Sequence, residues 1–171
     1  MADVPLVTQP TDIKAQLKEE RTRLVNSMFA EDLLDEQFRQ WQNMECERRH
    51  SIVEVVISVY VEYAEKKISE LARLLNEAVI NVSKVSAYVL QLNGQSSSVG
   101  AKRVGLACTK FHEAQKENNR EVWMAAFFNI RREFDELHNK FQTYLQLEQQ
   151  IQALRTIDDN FAAITVSDHS V

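Results

Sequence analysis

Few residues in this chain have the type and spacing to do chemistry. The most informative stretch is Leu90-Gln91-Leu92-Asn93-Gly94-Gln95-Ser96-Ser97-Ser98-Val99-Gly100-Ala101, a hydroxyl-rich run that holds two of the three glycines. Leu90, at its head, has no lone pair and no titratable nitrogen, so it cannot carry a phosphoryl group. Ser96–Ser98 could be phosphorylated, but a polar helix-capping turn is the simpler reading of a serine run. Of the four histidines, His50 precedes a helix cap, His112 and His138 fall on helices, and His169 lies in the tail. Each reads as an ordinary surface or core imidazole. His112, which follows Phe111 on the helix next to the serine run, has the best claim to another role. Cys46 and Cys108 are isolated and lie in no CxxC or ligand spacing, so they read as free thiols. Glu45, Glu47 and His50 flank Cys46 without metal-ligand spacing. No metal or cofactor is expected.

Composition bounds what remains. With 171 residues, 44% hydrophobic and 26% charged, the chain is long enough for one sizeable core and has ordinary globular usage. A net charge of −5 with scattered Lys and Arg argues against a nucleic-acid partner. No apolar run reaches the ~20 residues that span a bilayer, and the N-terminus lacks a signal-peptide pattern, so no membrane association is expected.

The elements that must position the run are helices, because both prolines lie in the first ten residues and breakers are scarce afterwards. Residues 1–10 read as a flexible segment, 11–154 as the helical domain and 155–171 as a loosely ordered tail. Thr11 or Asp12 is placed to cap a first helix bearing Ile13, Leu17, Leu24, Val25 and Met28. Asp35 caps a short second helix that carries Phe38 and Trp41. Ser51-Ile52-Val53-Glu54 is a capping box opening a third helix to about Asn76. Its β-branched start, 52–61, also suits a strand, but the unbroken run that follows favours helix. A fourth helix is expected over about 82–93 and a fifth over about 97–116, with Gly94 and the serines between them. Asn118 or Asn119 caps a sixth from Arg120 to Leu154, with Val122, Phe127, Ile130, Phe134, Leu137, Phe141, Tyr144, Leu145 and Ile151 on its stripe. Trp123, Phe127, Phe128 and Phe134 are expected in the core. The fold class is all-α: about six helices with a four-helix antiparallel up-down core.

On the fourth helix Val82, Val85, Val89 and Leu92 form the inward stripe. At ~100° per residue Leu90 falls roughly 120° from its centre, on the outward side with Ala87 and Gly94.

The run at 90–101 resembles the signature of the plant histidine-containing phosphotransfer proteins, H-Q-L-K-G-S-S-S-S-I-G-A. Gln91, Leu92, Gly94, Ser96–Ser98, Gly100 and Ala101 match it. Leu34-Asp35-Glu36-Gln37-Phe38 and Leu147-Glu148-Gln149-Gln150 also resemble family segments, and the likeness spans about residues 20–152. Three positions depart. Leu90 stands where the family has its phosphoacceptor histidine, Asn93 where it has a lysine that offers charge to the phosphoryl group, and Gln95 where a serine follows the glycine. The resemblance implies an HPt-like bundle that works in a two-component phosphorelay, the cytokinin pathway being the setting. Its partners would be receiver domains of sensor histidine kinases and response regulators.

With the three departures clustered, the expectation is a pseudo-phosphotransfer protein rather than an enzyme. It would bind receivers without accepting phosphate and so dampen signalling. Leu90, Gln91, Asn93, Gly94, Gln95 and Ser96 form the expected pseudo-active site, with Leu90, Gly94 and Gln95 facing the receiver's acidic pocket. By resemblance, an apolar docking patch is expected on Leu33, Leu34, Phe38 and Trp41. A monomer in cytoplasm and nucleus is expected. The alternatives are an active relay that uses a non-standard histidine (His50, His112 or His138) and a structural helical interaction protein.

Overall fold

A computed structural model describes residues 9–45 and 51–167; Cys46, Glu47, His50 and His169 lie outside the described residues. Six helices follow one another: α1 Pro10–Ala30, α2 Glu36–Asn43, α3 Ile52–Leu75, α4 Val82–Val99, α5 Lys102–Ala114 and α6 Arg120–Ser167. There is no strand among the described residues. Among the described residues no helix is long and apolar enough to cross a membrane.

Local side-chain chemistry starts several of these helices. Asp35 Oδ1 accepts from the Gln37 amide at 2.9 Å, Ser51 Oγ from Glu54 N at 3.1 Å and Asn119 Oδ1 from Glu121 N at 2.9 Å. The β-branched start of α3 is helical. Val53, Ile57, Tyr60, Ala64, Ile68, Leu71 and Leu75 recur at three- and four-residue spacing and are all buried.

Four expectations shift. α1 begins at Pro10 rather than after it: proline's fixed φ suits a first turn, and the Gln9 carbonyl accepts from the Asp12 and Ile13 amides. α4 does not stop near Asn93 but runs through Gly94 and the serines to Val99. α6 continues beyond Leu154, because no glycine or proline follows Gly105 and Lys14 pairs with Asp158 at 3.3 Å. Val82 and Phe128 are exposed rather than core. Phe128 sits about 100° round the helix from buried Phe127 and leaves the stripe.

The chain divides into two compact units, one of the described residues up to Ser27 with those from Gln142, the other Met28–Phe141. In the larger unit α3 and α4 run antiparallel, joined through Tyr60–Ser96 and Glu70–Tyr88. Antiparallel α5 meets α4 through the mutually hydrogen-bonded Ser86 and Gln115. α6 returns along α3, where Tyr60 packs edge-on against Phe134 at 6.4 Å and Phe141 at 6.5 Å. Phe38 of α2 stacks on Phe141 at 5.9 Å. The smaller unit pairs the start of α1 with the later part of α6.

Candidate functional site on the outward face of α4

Asn81 opens α4, its Oδ1 accepting from Lys84 N at 3.1 Å. From there Val85, Val89, Leu92 and Ser96 turn inward and are buried. Ala87, Leu90, Gln91, Gly94 and Gln95 turn outward. Leu90 is 72% exposed, so packing does not account for its presence. Asn93 is half-buried on the side facing α5, where a Cβ on Gly105 would lie 3.3 Å from its Oδ1. Gly94 faces open space, since a Cβ there would meet nothing within 4 Å.

Ser96 departs from the exposed pseudo-site expected of it. Its Oγ lies 2.9 Å from Tyr60 Oη in the interior, and burial holds that phenol's pKa above the usual range. The serines are therefore helical rather than a capping turn. Ser97 and Ser98 remain exposed, and the Ser98 hydroxyl donates back to the Gln95 carbonyl at 2.8 Å.

Gly100 ends the helix with φ +82°, the left-handed conformation that glycine adopts without strain. Its carbonyl accepts from Asp35 N at 2.9 Å, and a Cβ here would stand 2.5 Å from Phe38 N. The start of α2 thus sits directly on this turn. Next to it, Lys102 N donates to the Leu33 carbonyl at 3.1 Å, and Trp41 Nε1 donates to the Ser98 carbonyl at 2.8 Å.

The face carries little charge. No residue from Ala87 to Ser98 is ionised at neutral pH. Beyond it, Lys102 pairs with Asp32 at 2.7 Å and holds that carboxyl below the usual carboxylate range. Arg103 lies between two carboxylates of α6, 2.6 Å from Glu133 and 2.9 Å from Glu136. Both cations nearest the C-terminal end of the face are thus already paired. The arrangement offers neutral hydrogen-bonding groups around one apolar projection, with no imidazole among them.

The described histidines lie elsewhere. His138 of α6 is half-buried, 3.4 Å from Glu65 with its ring near Phe134, and His112 is exposed on the last turn of α5. Cys108 is buried and its thiol is pushed up to about 12, which removes the thiolate at neutral pH. No cluster of three His, Cys, Asp or Glu suited to a metal exists among the described residues.

The chain is 43% identical over 140 residues to histidine-containing phosphotransfer protein 2 of rice (Oryza sativa subsp. japonica), covering 81% of this chain and 94% of that protein. The chain belongs to the histidine-containing phosphotransfer protein family. It is also 34% identical over 136 residues to pseudo histidine-containing phosphotransfer protein 6 of Arabidopsis thaliana, covering 79% of this chain and 88% of the other. An X-ray structure of a histidine-containing phosphotransfer protein from rice superposes with a TM-score of 0.78 at 41% identity, over 82% of this chain and 99% of that one. No protein-family model matches the chain.

Within this phosphotransfer fold, Leu90, Gln91, Gly94 and Gln95 share one exposed face, with Asn93 at its α5 border. The docking patch expected on α2 needs correction. Leu33, Leu34 and Phe38 are 1%, 2% and 0% exposed, because the turn on Gly100 draws the segment before α2 into the core. Their side chains offer no contact area, and Trp41 is half-buried. Sequence reasoning missed Leu106 of α5, 51% exposed beside Gly105, and Met44, 60% exposed just after α2. Nothing in the local pattern of either segment separated those residues from core ones.

Proposed function

We propose that this chain is a pseudo-phosphotransfer protein of a two-component phosphorelay, docking receiver domains through the outward face of α4 without accepting phosphate. The observation that carries this reading is Leu90, 72% exposed at the position where the signature has its histidine. Phosphoryl transfer between proteins needs an exposed nucleophile at the point of approach, with positive charge nearby to neutralise the group in flight. Here the exposed group is a hydrocarbon, and the position of the helper lysine is Asn93. Overall similarity does not discriminate, since relatives with and without the "pseudo" name align over comparable lengths. The chemistry of positions 90 and 93 supports the pseudo reading.

Docking then rests on shape. Gly94 lets a partner backbone approach, and Leu90 supplies apolar area that a receiver's site would cover. By occupying receivers of sensor kinases and response regulators, the protein would dampen transfer by competent relatives. Cytokinin signalling in cytoplasm and nucleus is the proposed setting.

The test is incubation with a receiver domain phosphorylated by its own kinase. Receiver binding without acid-labile phosphate on this chain is expected. Phosphate that arrives and is lost on replacing His112 or His138 would overturn the proposal. Leu90→His with Asn93→Lys should restore measurable acceptance on the same scaffold; inertness of that variant, folded and receiver-bound, would count against this site.

A further inference from the structure

In the smaller unit the pairing of α1 with α6 is registered by two ion pairs. Arg21 binds Glu148, whose side chain is 4% exposed, and Lys14 Nζ lies 3.3 Å from Asp158 Oδ2. Lys14, Lys18 and Arg21 recur at four- and three-residue spacing and so share one side of α1. Glu148, Ile151, Arg155 and Asp158 do the same on α6. Because the helices run antiparallel with 14 beside 158 and 21 beside 148, this register sets Lys18 against the stretch between Ile151 and Arg155.

Between two matched pairs the ladder therefore holds a mismatch of two cations. Neither the Lys18 ammonium nor the Arg155 guanidinium makes a hydrogen bond or ion pair among the described residues, and Asp159, one turn beyond Arg155, does not pair with it. Lys18 is half-buried, and its ammonium pKa is lowered first by burial and then by the charges of Arg155, Lys14 and Arg21, which outweigh the opposing pull of the Glu148 carboxylate. Like charges placed together cost stability unless something neutralises them. Replacing either cation by a neutral residue would relieve the strain, yet the chain carries both.

We propose that Lys18 and Arg155, flanked by Lys14 and Arg21, form a binding site for a free phosphate-class oxyanion. Arg155 offers the planar fork that grips two oxygens, and Lys18 a compact charge with three donors. Ile157, Phe161 and Ile164 project from the other side of α6, about 120–180° from Arg155, so the site is polar and fits a small hydrated anion. The proposal uses no residue of α4 and does not depend on receiver docking.

The experiment is thermal unfolding of the full chain in inorganic phosphate against sodium chloride of equal ionic strength. Phosphate at about tenfold its Kd should raise Tm by about 3 °C more than chloride does. Lys18→Gln and Arg155→Gln should each fold with an unchanged or higher Tm in chloride and lose that excess. Comparing variants with the native chain removes the general stabilisation that phosphate gives any protein. Equal effects of phosphate and chloride on the native chain would overturn the site, as would an excess that survives in both variants.

Discussion

Tyr60 of α3 and Ser96 of α4 share a buried hydrogen bond of 2.9 Å between their hydroxyls. It fixes α4 in rotation, since Ser96 faces inward only if Leu90 faces out. Ser96→Ala strands the Tyr60 hydroxyl in the core at a cost of about 1–3 kcal/mol. Tyr60→Phe should cost less, because the freed serine hydroxyl can turn back to a carbonyl of its own helix. Urea unfolding of the two variants checks the order; equal losses would mean that the serine finds no substitute.

Cys108 and Tyr60, two buried weak acids, weaken the fold at alkaline pH. Cys108 titrates near 9 when unfolded and is pushed up to about 12 by burial, and Tyr60 is raised in the same direction. A group with a raised folded pKa contributes stability that is complete below its unfolded pKa and is lost as pH climbs toward the folded value. Stability should therefore be insensitive to these groups at neutral pH and fall above pH 9. Between pH 9 and 10 the thiol contribution amounts to about 1 kcal/mol. Cys108→Ala should flatten that part of the curve in denaturant titrations, while costing stability at pH 7 through the lost packing.

Two glycines of one motif should respond oppositely to alanine. At Gly100 the backbone is left-handed and Phe38 N lies 2.5 Å from the new Cβ, so Gly100→Ala should cost at least about 2 kcal/mol. At Gly94 the helix continues and the space is open, so Gly94→Ala should gain about 0.5–1 kcal/mol. If Gly94 serves docking, the same variant should bind receivers more weakly while melting higher. A Gly94→Ala protein that is both more stable and equally well bound would remove Gly94 from the interface.

These glycines also mark what was legible in the chain. Caps at Asp35, Ser51 and Asn119 were readable because a side chain and an amide two or three residues away decide them. The outward place of Leu90 followed from helical period alone. Which of Gly94 and Gly100 breaks the helix did not, because α2, distant in sequence, rests on Gly100. For the same reason Leu33, Leu34 and Phe38, on which the family resemblance implies a docking patch, are buried. Apolar residues beside a cap belong to core or docking face according to what the turn is fastened to. Ser96 likewise reads as one serine among three until Tyr60 selects it.

Leu90 offers the sharpest separation of docking from folding. At 72% exposure it contributes little to the core, so Leu90→Ala should leave the urea midpoint unchanged. If a receiver covers it, the lost apolar contact is worth about 1–2 kcal/mol, a roughly 5- to 30-fold rise in Kd. With no ionised side chain from Ala87 to Ser98, that contribution should persist at high salt, because screening acts on charges and not on apolar contact. Asn93→Lys should do the reverse, tightening binding at low salt and losing the gain as ionic strength rises. Isothermal titration of the two variants with one receiver, at low and high salt, reads both effects. An unchanged Kd for Leu90→Ala at both salts would place the receiver on another face.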